Sequence, residues 1–287
     1  MTDDEIEVER MLKEYTGKTF EDALNDVYVD PSEEIEHPPI AISYGDHSYN
    51  TKNGLQSYRT PIATYGNFSF VQAPPKVGKS YLMSLLSTVY LNDNAGTRGG
   101  DLKGHRDGKE VIHFDTEQGK FHASKVFKRP YEITGKPYDG YHTFALRQFS
   151  PRDRLAFIEW YLSEKVDNVG LVIIDGVADL CNDVNNIEES NLVVQKIMQL
   201  TALYNCHIMT VIHSNFGSDK PTGHLGSFLE KKTETQIELK KNELIEGQIT
   251  VSCKRSRGRS FETFDFKIDK YGLPKIINTN VLTKAKF

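Results

Sequence analysis

Residues 70–82 read FVQAPPKVGKSYL. The apolar stretch NFSFVQA, residues 67–73, predicts a short strand. SYLMSLLSTVYLN, residues 80–92, repeats its apolar residues on a helical period. Between them lies a tight loop ending in Gly78-Lys79-Ser80. Strand, loop and helix in this order gather backbone N–H groups and the positive helix end at one point, which suits phosphate groups. In such a loop Lys79 reaches the β- and γ-phosphates, Ser80 holds Mg²⁺, and Gly78 lets the backbone pass close. The pattern asks for glycine at position 73, and this chain has Ala73, then Pro74 and Pro75. Alanine is the smallest replacement, the prolines stiffen the entry, and Lys76 adds positive charge. Residues Ala73, Pro74, Pro75, Lys76, Val77, Gly78, Lys79, Ser80 and Tyr81 are therefore the expected ATP-binding stretch.

Downstream, strand-like and helix-like segments alternate. EVIHFDTEQ (110–118), YHTFALRQF (141–149), VGLVIIDGVADL (169–180) and CHIMTVIHSN (206–215) read as strands with their exits. PRDRLAFIEWYLSEK (151–165) and EESNLVVQKIMQLTALYN (188–205) read as helices. Such alternation implies an α/β fold with a mostly parallel central sheet and helices on both faces. TETQIELKK (233–241), GQITVSCKRSRGRS (247–260) and FETFDFKID (261–269) read as antiparallel C-terminal hairpin strands. NDNAGTRGGDLKGHRDGK (92–109) and SNFGSDKPTGHLGSF (214–228) read as polar loops, the second either disordered surface or a moving binding element.

The 287 residues suffice for one large α/β domain with an extension. No apolar run approaches the ~18 residues of a membrane span, and the N-terminus has no apolar signal region. Cys181, Cys206 and Cys253 lie far apart without metal-ligand spacing. They are expected as reduced thiols in a cytoplasmic protein. The net charge of −5 is uneven: residues 1–36 hold 13 acids against 3 bases, and the rest 27 acids against 32 bases. A mildly basic body suits a polyanion, and a solvated ordinary surface fits equally. Residues 3–16 predict a short helix with Ile6, Met11, Leu12 and Tyr15 on one side and Gly17 as its stop. Too short to stand alone, it would dock on the body, a neighbouring subunit or another protein. The expected organisation is an acidic extension (1–36), a linker-like lead-in (37–65), the α/β domain (66–275) and a tail (276–287).

Hydrolysis of a bound triphosphate needs a second Mg²⁺ ligand and a group that orients water. Asp175 ends LVIID, at the strand rim where open α/β sheets bind ligands, and suits the metal. Gly176 follows it, so the water-directing carboxylate must come from elsewhere. Glu117 in FDTEQ fits that role, with Asp115 as rival. His213 ends TVIHSN and suits a γ-phosphate sensor or a structural position.

Taken in order, APPKVGKS, VIHFDTEQ, LVIIDG, TVIHSN and GHLGSFLEKKTET resemble the RecA/DnaB-type P-loop ATPase core. The likeness is greatest to RepA-like hexameric helicases and related ATPases of plasmids, conjugative elements and phages, and spans roughly residues 38–275. It implies a RecA-like fold, ATP held between subunits of a ring, Glu117 as catalytic base, Asp175 on Mg²⁺ and His213 as sensor. The family's trans-acting basic hairpin corresponds to CKRSRGRSF. Lys254 matches its first basic residue, Ser256 stands where the arginine is expected, and Arg255 and Arg257 flank it. Ala73 and the longer spacing around residues 94–108 depart from the family, and residues 1–36 match no primase-binding domain of it. The implied function is an ATP-driven motor on single-stranded DNA, as a homo-oligomeric ring, with Lys220, His224 and Lys231 near the strand and Phe216 and Phe228 as its few aromatic contacts. Two alternatives stay open: a scaffold ATPase that binds a protein partner through residues 1–36, and a recombinase-like filament.

Overall fold

The computed structural model describes residues 10, 19–52, 54–93, 97–215, 218–243 and 245–277. Two units separate at residues 37 and 38. In the first, helix α1 (Phe20–Val27) begins on a capping box in which Thr19 and Asp22 satisfy each other's N–H groups. Its Phe20, Leu24 and Val27 are exposed. The helix expected over 3–16 lies, Arg10 apart, outside the described residues.

The second unit is built on a nine-stranded sheet. Its members are β3 (Phe68–Ala73), β5 (Glu110–Asp115), β6 (Tyr141–Ala145), β7 (Val169–Asp175), β8 (His207–His213), β9 (Thr235–Lys241), β10 (Gln248–Ser256), β11 (Phe264–Ile268) and β12 (Pro274–Ile277), in the order β12-β11-β10-β9-β3-β8-β7-β5-β6. From β9 to β6 every neighbour is parallel, and β10, β11 and β12 add antiparallel pairs. Helices α2 (Lys79–Leu91), α3 (Lys120–Thr134), α4 (Pro151–Glu164), α5 (Ile187–Tyr204) and α6 (Gly223–Lys232) cover it. This is the expected mixed α/β architecture of a RecA-like P-loop core.

The parallel strands are buried on both faces, and their side chains alternate between two cores. Val71, Leu171, Ile173, Met209 and Val211 face the core that holds α2. Phe70, Ile112, Val172, Ile174, Ile208 and Ile212 face the core under α5. The same period of two carries Asp175 and His213 to the α2 side at the strand ends.

Four segments differ from expectation. Residues 40–64 are a hairpin, β1 (Ile40–Thr51) with β2 (Gly54–Thr64), and not a linker. Within the 92–109 loop lies β4 (Leu102–Gly104), which pairs with β1 to complete a three-stranded sheet. Glycine permits this: a Cβ on Gly104 would sit 2.5 Å from the Tyr90 Cα. Helix α3 had no clear periodic signal and contains Pro130. The polar segment after His213 ends sooner than expected, because α6 starts at Gly223 and places His224, Phe228 and Lys231 on a helix.

Candidate functional site

The parallel register sets the site's floor. Ala73 pairs with His213, and Asp115 pairs with Asp175, so the carboxyl ends of β3, β8, β7 and β5 form one rim. A cleft of about 810 Å³ opens there, lined by Lys76 to Tyr81, Glu117, Asp175 and His213 among others. Ala73, Pro74 and Pro75 lie behind it: Ala73 is buried at the end of β3, while both prolines are exposed. Ala73 has no positive φ, so alanine is unstrained where the loop pattern has glycine.

Gly78 has φ 118°, and a Cβ there would lie 2.6 Å from the Ile249 Cδ1. The backbone angle demands glycine, and the Ile249 side chain of β10 would have to shift to admit a Cβ. The N–H groups of Val77, Gly78, Lys79 and Ser80 have no acceptor among the described residues. They stand at the N-terminus of α2, an anion-binding arrangement.

Lys79 is largely buried. Its Nζ donates to the carbonyls of Ala73 and Pro74, each at 3.1 Å, and lies 2.9 Å from His213 Nδ1. Burial pulls the Lys79 ammonium below its ordinary pKa, against the raising influence of Asp175 and Glu117. Since the ammonium only donates, His213 Nδ1 accepts and the ring proton sits on Nε2. That nitrogen lies 3.7 Å from Glu117 Oε2. The imidazole holds the Glu117 carboxyl below its usual range, aided by Lys79 and Arg147 and opposed by partial burial.

Asp175 is 5% exposed, and burial pushes its carboxyl up to about 6, with the Ser80 hydroxyl opposing. Ser80 Oγ donates to Asp175 Oδ2 at 2.7 Å. Two hard oxygen ligands thus meet beside the phosphate loop, and the carboxylate lacks solvent to stabilise its charge. This donor pair fits Mg²⁺, which binds through one or two protein oxygens plus phosphates and water.

Asp115 is turned to another task. Its Oδ1 accepts from the N–H groups of Glu117 and Gln118 at 3.1 and 2.7 Å, and its Oδ2 from the Gln118 amide at 2.8 Å. It shapes the turn that presents Glu117. Gly176, with φ 110°, would place a Cβ 2.4 Å from Thr116 Oγ1. A glutamate directly after Asp175 is thereby excluded.

Sequence reasoning missed several cleft residues. Arg129, on α3, donates to the Ser80 carbonyl and lies near Ser84 Oγ, both at 3.3 Å, with its guanidinium 3.9 Å from the Tyr81 ring centre. The β9–β10 turn brings Lys241, Asn242, Glu246 and Gln248 to the far wall. No local motif marks these residues; only the strand order places them.

The basic hairpin stands apart from its own cleft. Lys254 Nζ pairs with Glu238 at 3.4 Å and donates to the Asp219 carbonyl. Arg255 and Arg257 are exposed. The Arg257 N–H donates to Glu234, whose own N–H donates to Phe68 at the start of β3, the rim opposite the phosphate loop. Lys220, His224 and Lys231 do not line the cleft, and Phe216 lies outside the described residues.

Comparison with known proteins matches residues 56–219, more than half of the chain, to the family described as AAA domain. The DNA repair and recombination protein RadB of Methanococcus maripaludis is 26% identical over 241 residues, covering 79% of this chain and 95% of the relative. Among solved structures, the RadB recombinase superposes with a TM-score of 0.51 at 16% identity, covering 76% of this chain and 94% of that one. A solved ATPase domain superposes with a TM-score of 0.54 at 12% identity, covering 74% of this chain and 85% of that one. The chain belongs to the AAA domain family and is an ATPase on a RecA/DnaB-type P-loop core.

Proposed function

We propose that this ATPase couples ATP hydrolysis to work on single-stranded DNA, with the nucleotide held between subunits of a homo-oligomeric ring. The observation that carries the reading is the meeting of Lys79, Ser80, Glu117, Asp175 and His213 in one cleft. On nucleotide binding, Lys79 leaves His213 for the β- and γ-phosphates, and the loop N–H groups take the remaining phosphate oxygens. Ser80 and Asp175 would hold Mg²⁺, which would neutralise charge on the phosphates. Glu117 accepts a proton from water as the water oxygen bonds to the γ-phosphorus. The bond from that phosphorus to the bridging oxygen breaks, leaving ADP and phosphate. The His213 Nε2–H faces the same space and reports whether the γ-phosphate is present.

The relay from sensor to strand runs through the segment after β8. Asp219 is tied to Gln72, Lys240 and Lys254. Movement of His213 therefore acts on a segment already joined to the basic hairpin, which in turn would reach a neighbour's nucleotide through Lys254, Arg255 or Arg257. Lys220 and Lys231 would meet the DNA phosphates, making binding salt-sensitive.

A second reading, a recombinase-like filament, is favoured by the coverage of the RadB relative, whose length is spanned to 95%. Negative-stain images with ATP and single-stranded DNA, paired with a strand-displacement assay, separate the two. Closed rings that displace a strand support the motor; filaments without displacement support the second reading. Nucleotide-driven assembly with neither DNA binding nor displacement would leave a scaffold ATPase.

A further inference from the structure

The 254–259 run carries a third arginine, Arg259, that the nucleotide reading does not use. Arg259, in the segment joining β10 to β11, places its guanidinium carbon 4.5 Å from the centre of the Tyr58 ring on β2. Tyr58 in turn stacks on His47 of β1, with centroids 5.0 Å apart and planes 22° from parallel. A cavity of about 460 Å³ is bounded by Tyr58, Thr60, Pro61 and Arg259, a size in the range of small-ligand pockets.

The charge is uncompensated. Arg255 and Arg259 are exposed, and neither pairs with a carboxylate among the described residues. By contrast Arg59, Arg98, Lys240 and Lys254 each pair with an acid. The guanidinium of Arg257 donates to the Lys232 carbonyl at 2.6 Å, and its charge also acts on the Glu234 carboxyl. Of the acids nearby, Asp46 is paired with Arg59 and Glu262 is exposed.

A flat aromatic–guanidinium stack accepts the π-face of any base, and free arginine forks take phosphates. We propose that the Tyr58–Arg259 platform is a second binding site for single-stranded nucleic acid, distinct from the 214–222 segment. One base enters the cavity and stacks on the guanidinium face that Arg259 turns away from Tyr58, and the fork edge of Arg259 meets the adjoining phosphate. The β1–β2 hairpin acquires a function by this assignment: it supplies the aromatic half of the platform, and the β10–β11 connection supplies the cationic half.

The test is fluorescence anisotropy with a labelled oligothymidylate of about 20 nucleotides, read from about 50 to 200 mM salt. Arg259→Ala should weaken binding and flatten the slope of log affinity against log salt by about 0.7, the loss of one phosphate-directed charge. Tyr58→Leu should weaken binding about tenfold and leave that slope unchanged, because it removes stacking without charge. Tyr58→Phe should bind like the parent, which separates loss of the ring from loss of the fold. ATP turnover without DNA should be unchanged in all three variants. Parent-like affinity in Arg259→Ala or in Tyr58→Leu overturns the proposal, as does a parent that binds no strand at the lowest salt. Weakening confined to Lys220→Ala and Lys231→Ala would also overturn it, while leaving the reading of the 214–222 segment standing.

Discussion

Lys79, His213 and Glu117 form a chain of contacts in the cleft, and each can be tested singly. Lys79→Ala should abolish nucleotide binding, because it removes the buried ammonium that would meet the β- and γ-phosphates. Glu117→Gln should retain binding, read with a fluorescent ATP analogue, and lose turnover by about a hundredfold or more. Turnover equal to the parent would remove Glu117 from its role. Gly176→Ala should destabilise by about 1–3 kcal/mol in urea unfolding, since its φ of 110° is strained for alanine and its Cβ meets Thr116. Two buried histidines set a pH dependence. Burial pulls His113 down to about 3 and His207 to about 4 from the ordinary 6.5. Between those values the unfolded chain binds more protons than the folded one. The stabilisation is therefore complete above pH 6.5 and is lost as pH falls toward 4. The urea midpoint should drop across that window, and less so in His113→Phe.

At the scale of elements, the phosphate loop depends on a strand about 170 residues later in the chain. Ile249 of β10 packs against Gly78. Ile249→Ala should cost about 2–5 kcal/mol and raise the ATP concentration needed for half-maximal turnover, because it frees one wall of the loop. What was legible follows the same logic. VGLVIID and CHIMTVIH could be read as strands because a strand buried on both faces must be apolar throughout. Their terminal Asp175 and His213 then fell on the rim by necessity. The β1–β2 hairpin was illegible because its outer half, from His47 to Ser57, is largely polar and, where described, mostly exposed, so that it resembles a linker in composition. Pro130 hid α3, and with it Arg129. The β9–β10 wall was hidden because sheet order is a long-range property: β9 lies beside β3, with β10 beyond it, and no local pattern encodes that.

At the scale of the whole molecule, the basic hairpin and the phosphate loop sit at opposite rims of one sheet. A single copy therefore cannot bring Arg257 to its own nucleotide; in the ring proposed above, an adjacent copy would supply an arginine without rearranging the strands. Among the described residues no helix is long and apolar enough to cross a membrane. The decisive measurement is steady-state phosphate release by the parent protein at low salt, with and without single-stranded DNA. Turnover should rise several-fold with the strand, and the rise should fade as salt screens the phosphate contacts. The same rate with and without DNA, at every salt concentration and with nucleotide binding intact, would contradict the coupling of this ATPase to DNA.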